Sequence, residues 1–144
     1  MGRILKGIKA GAIAGLSFSL FSSIILYFLL VSMKEDILLL LEQVALPNIP
    51  VEEIYNLILF SSPIIFGVAS FLFGILVGVI YSYLEGKIPI SNPLLKGVTF
   101  SLIIWILLSL IPSFPFSPFS FNYLLIIPSI LYGITLGFFY SKFK

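Results

Sequence analysis

The sequence predicts an all-α integral membrane protein with four transmembrane helices, arranged as two tandem two-helix repeats with both termini cytoplasmic. Three observations lead there: long apolar runs, a one-sided distribution of basic residues, and small residues recurring at every fourth position. Over 144 residues, 60% are hydrophobic and 10% charged, and the mean hydropathy is +1.20. A soluble domain carries roughly 25% charged residues. This chain lacks the polar side chains to cover its own surface, and its apolar runs are long enough to cross a bilayer.

The first run, Ile8 to Val31, would span about 36 Å as a helix. Arg3, Lys6 and Lys9 ahead of it resemble the charged start of a signal peptide. A secretory apolar region is only about 7–15 residues long, so the expectation is a retained first span. Lys34-Glu35-Asp36 ends it. Residues 37–60 read as an inserted helical hairpin on the outer side, turning at Leu46-Pro47-Asn48-Ile49-Pro50. The second span, Leu57 to Leu84, is expected to break or kink near Ser61-Ser62-Pro63. A polar link with Pro89 and Pro93 follows, then a third span from Leu94 to Ile111. The prolines of the Phe-rich stretch from Pro112 to Phe121 exclude a regular helix, and a fourth span runs from Tyr123 to Tyr140 with an interruption at Pro128.

Orientation follows from basic residues in the flanks. Arg3, Lys6, Lys9, Lys87, Lys96, Lys142 and Lys144 fall on one side, and only Lys34 on the other, with Glu35, Asp36, Glu42, Glu52 and Glu53. Four spans in one membrane domain, residues 1–144, satisfy this split. Orientation suffices to explain these lysines, with anionic headgroup binding as a secondary role.

The chain also repeats itself. Leu5-Lys6-Gly7-Ile8 matches Leu95-Lys96-Gly97-Val98, and residues 70–82 align without gaps to 129–141. Ser70, Leu72, Gly74, Ile75, Gly78, Tyr81 and Ser82 are identical to their partners in that second alignment. The expected units are residues 5–84, carrying the 37–60 insertion, and residues 94–142, related by an axis along the membrane normal.

Small residues form a glycine-zipper pattern in every span: Gly7, Gly11, Gly15 and Ser19; Ser70, Gly74 and Gly78; Gly97 and Ser101; Gly133 and Gly137. In lipid, helices attract through close backbone packing at such residues, because burying Leu gains little there. These eleven positions are the expected helix-packing interface. Because the Gly7–Ser23 stripe is the longest, span one is the expected face for a partner. Prolines and large aromatics concentrate towards the outer side, which predicts a compact cytoplasmic half and a looser outer half. Ser61, Ser62, Trp105 and Ser129 are the candidate lining of an outer cavity, and Tyr81, Tyr83 and Tyr140 the expected interfacial aromatic belt.

The chemistry available is narrow. The chain has no Cys and no His, and no ionisable residue falls deep in a span. Four-span rotor proteolipids resemble it in duplicated hairpins and Gly-rich helices, but they work through a mid-span carboxylate that spans two and four lack. Small multidrug exporters depend on an embedded Glu that span one lacks. No nucleophile–base pair, phosphate loop, cofactor or metal site is present in the pattern, which argues against an enzyme and against nucleic-acid binding. The leading expectation is a structural or accessory subunit of a larger membrane complex, or a homo-oligomer, held by small-residue faces in the lipid bilayer. The alternative is a passive channel or transporter for a neutral or lipophilic solute.

Overall fold

The computed structural model describes residues 2–44, 49–109 and 124–143, and among these residues it is all-helical. The helices are α1 (Arg3–Ser32), α2 (Lys34–Val44), α3 (Val51–Leu84), α4 (Pro93–Ser109) and α5 (Ile126–Lys142), with a 3-10 turn at Glu85–Lys87 after α3. Two of them, α1 and α3 with its 3-10 turn, are long and apolar enough to cross a membrane. At 30 and 34 residues they measure about 45 and 51 Å. The apolar helices α4 and α5 have 17 residues each, about 25 Å.

α1 packs along α3 and α4 along α5, and the two hairpins meet chiefly through α1 against α5. Gly7 lies beside Gly78 and Ser82, and Gly15 beside Phe71, so α1 and α3 are antiparallel. Tyr132 bonds the Gly74 carbonyl and Tyr140 packs on Tyr81, so α5 runs parallel to α3 and antiparallel to α1. The start of α1 and the end of α5 therefore lie at the same end of the bundle. There sits the buried cluster of Ala10, Ala14, Val77, Tyr81, Phe100, Tyr132 and Leu136. Away from it α4 is largely exposed, at Ile103, Ile106 and Leu107 among others.

Several boundaries differ from the sequence reading, each for a local reason. The second arm of the 37–60 hairpin is not separate: residues 51–60 run into the second span as one helix. Pro63 lies inside α3 without ending it and is buried, and the Ser23 hydroxyl donates to its carbonyl at 2.8 Å. The missing N–H costs the helix one bond, to the Leu59 carbonyl, and that single loss does not end it. Ser61 bonds the carbonyl of Leu57, not that of Leu59, which the proline frees. Pro128 does not interrupt the fourth helix, because α5 starts at Ile126 and places Pro128 in its first turn. A missing N–H there is one that had no partner in the helix anyway. The turn at 46–48 and the Phe-rich stretch lie outside the described residues.

Candidate functional site

The eleven small residues singled out from the sequence are all buried, and all but Ser19 and Ser70 are in contact with one another across two helix pairs. A Cβ placed on Gly78 would lie 2.5 Å from the Cα of Gly11 and 2.5 Å from the carbonyl oxygen of Gly7. One on Gly11 would lie 2.9 Å from the carbonyl oxygen of Gly74. These neighbours are backbone atoms, which cannot turn aside, so the α1–α3 contact exists only because both sides lack side chains. In the second hairpin, a Cβ on Gly97 would meet the Gly133 carbonyl and the backbone of Gly137.

The two hairpins close in different registers. Gly7 sits against Gly78 and Ser82, whereas its aligned counterpart Gly97 sits against Gly133 and Gly137, the counterparts of Gly74 and Gly78. The second crossing is thus displaced by about one helical turn, four residues. The position aligned with Gly15 is Trp105, too large for a backbone contact, and α4 slides so that Pro93 and Leu94 lie against Gly137 instead.

The long stripe on α1 does not remain open for a partner. Gly7, Gly11 and Gly15 face α3, and at its far end Ser23 lies against Gly67 and bonds the Pro63 carbonyl. The reason is that α3 carries small residues of its own in the facing register, so residues 63–82 cover the whole stripe.

Of the four candidate cavity residues, Ser61 lines an open groove on α3 with Glu53, Asn56, Leu57, Phe60 and Ile64, a lining that includes none of the other three. Ser129 is buried in the first turns of α5 and donates to the Leu125 carbonyl. Ser62 and Trp105 are half-buried. Hydroxyls elsewhere in the helices behave alike: Ser19, Ser22 and Ser101 each donate to a carbonyl three or four residues back, and one of Ser17 and Thr135 does so while the other donates to it. Such bonds satisfy the hydroxyl locally and leave little polarity to coordinate a solute.

Contacts that the sequence reading missed join the hairpins. The Tyr132 hydroxyl donates to the Gly74 carbonyl at 2.7 Å, and Ser17 and Thr135 share a bond at 3.2 Å. Tyr81 is not part of an interfacial belt: it is buried, its ring centroid 5.2 Å from those of both Phe100 and Tyr140. Its position one residue before Ser82, on the flank of the glycine face, turns the ring towards α4 and α5. Tyr140 is half-buried against it, and Tyr83 is exposed. The fourfold spacing of Gly and Ser marked the faces within a hairpin, but no comparable spacing marks these contacts. At the far end of α3, Tyr55 donates to the Leu30 carbonyl at 3.2 Å and carries Lys34 over its ring.

Charge is absent from the packed interior. The ion pair among the described residues, Lys96 with Glu85 at 2.8 Å, ties the start of α4 to the turn after α3 at the bundle end. No group of three or more metal-binding side chains occurs among the described residues. The arrangement can hold helices at fixed spacing.

No curated protein and no solved structure matches the chain. A family model matches it over residues 1–144, and the chain belongs to that family, DUF6789, described as a family of unknown function.

Proposed function

We propose that the chain is a multi-pass cell-membrane protein of four spans, built from two tandem helical hairpins with both termini cytoplasmic. Its role in this reading is structural: an accessory subunit of a larger membrane assembly, or the repeating unit of a homo-oligomer. The observation that carries this is how the interior is used. Its glycines hold helix backbones together, and its hydroxyls are taken up by carbonyls of their own or a neighbouring helix. What remains for function is the outer surface, rich in exposed Leu, Ile and Phe. Because the small-residue faces are engaged within the chain, a partner would meet these larger apolar side chains. A passive route for a neutral solute has less behind it, since the groove that Ser61 lines includes none of Ser62, Trp105 and Ser129.

Four spans are supported by the one-sided basic residues and by helix lengths. At 17 residues, α4 is at the short end of what crosses a bilayer. The tandem repeat is supported by the 70–82 and 129–141 alignment and by glycine contacts in both hairpins, one turn apart in register.

The absence of cysteine makes the topology directly measurable. Single cysteines at Gly2, Gly86 and Phe143 should label from the cytoplasmic side, and one at Glu42 from the opposite side, with a membrane-impermeant maleimide. Gly2 and Phe143 labelling from opposite sides would reject four spans. Assembly is tested by mass in mild detergent: a particle heavier than one chain, or one carrying a second membrane protein, is expected. A stable, solitary monomer counts against the structural role.

A further inference from the structure

We infer that the bundle end carrying both termini is a docking surface for the headgroups of anionic phospholipids, with the cationic flank of α1 at its centre. The described cations at this end are Arg3, Lys6, Lys9, Lys87, Lys96 and Lys142. One carboxylate, Glu85, shares the end with them, and it is already taken by Lys96 at 2.8 Å. Lys142 leans over the Phe138 ring. Arg3, Lys6, Lys9 and Lys87 have no acidic partner among the described residues.

Arg3, Lys6 and Lys9 follow one another at intervals of three, so they run up one flank of α1 over about 9 Å of helix axis. Like charges at such spacing repel when nothing neutralises them. Ile4, Leu5 and Ile8, interleaved with them, are exposed. The surface therefore offers a cation to a phosphate and, beside it, an apolar side chain to the acyl chain below. Lysine stems can lie along apolar surface while the ammonium reaches the headgroups. The opposite end has the reverse character, with Glu35, Asp36, Glu42, Glu52 and Glu53 against Lys34. Charge complementarity thus selects the lipid and also the leaflet.

This inference rests on the membrane reading above, but its test is separable from topology. The full chain is reconstituted into vesicles of phosphatidylcholine and phosphatidylglycerol, re-extracted in mild detergent, and its retained lipids are counted by native mass spectrometry. The ratio of retained phosphatidylglycerol to phosphatidylcholine should exceed the bulk ratio by roughly fivefold, the factor equivalent to about 1 kcal/mol for one cation at an anionic surface. The triple variant Arg3→Gln, Lys6→Gln, Lys9→Gln should fall back to the bulk ratio, while Lys6→Arg with Lys9→Arg keeps the enrichment. Glu35→Gln with Glu52→Gln and Glu53→Gln, at the other end, should keep it too. A wild-type lipid ratio equal to bulk overturns the inference, as does enrichment that persists in the triple variant. Neither outcome bears on the cysteine labelling, so failure of the lipid surface and failure of the four-span reading are distinguishable.

Discussion

Gly78→Val is expected to open the α1–α3 hairpin and to be among the most damaging single substitutions in the chain. Its first added carbon would lie 2.5 Å from both the Gly11 Cα and the Gly7 carbonyl oxygen, closer than real Cβ contacts come. Overpacking commonly costs about 1–3 kcal/mol where side chains can rearrange. Here the obstructing atoms are backbone, so the two helices must move apart and loosen the neighbouring Gly74 and Gly15 contacts as well. A loss of about 3 kcal/mol or more is expected, read as a lower midpoint for unfolding by SDS in mixed micelles. Gly86→Val is the matched control, since a Cβ there meets nothing within 4 Å. Equal midpoints for Gly78→Val and wild type would mean that the close approach does not hold the hairpin.

That experiment tests the part of the fold most legible in the sequence. Glycine at every fourth position lies on one side of a helix, and in lipid that side has one obvious use, so Gly7, Gly11, Gly74, Gly78, Gly97, Gly133 and Gly137 could be assigned to packing from spacing alone. Their pairing could not. All the stripes are chemically alike, and which one meets which depends on helix length and connection, as the continuous course of α3 through Pro63 illustrates. Proline reads as a break because it removes a hydrogen bond, here to the Leu59 carbonyl; the single lost bond does not end a helix that is held along its neighbour on both sides of it, by Ser23 at Pro63 and by Tyr55 at Leu30. The one-turn displacement between hairpins was hidden for a different reason, since sequence alignment matches residues and not the contacts they make. Tyr81 shows a third limit. An aromatic ring near a helix end has the same local pattern whether it faces headgroups or a neighbouring helix, and only the tertiary arrangement assigns it to the core.

Tyr81→Ala should separate the hairpins from each other without dissolving either one. The joint between them is made of side chains: Tyr81 against Phe100 and Tyr140, Phe18 edge-on to Tyr132, and the bonds from Tyr132 to Gly74 and between Ser17 and Thr135. Removing a buried aromatic ring costs about 3–5 kcal/mol. That loss would fall on the joint, because the backbone contacts of Gly78 with Gly11 and of Gly97 with Gly133 do not involve the ring. Ser17→Cys with Thr135→Cys, whose native oxygens are 3.2 Å apart, provides a disulfide reporter of docking. In the Tyr81→Ala background its yield should drop several-fold while helicity by circular dichroism stays unchanged. Tyr81→Phe, which keeps the ring, should restore the yield. If helicity falls together with crosslinking, the four helices form one cooperative unit, and the division into two bodies fails. If neither changes, the ring contacts at the bundle end do not hold the hairpins together, and the α1–α5 contact must do so through Tyr132 and the Ser17–Thr135 bond.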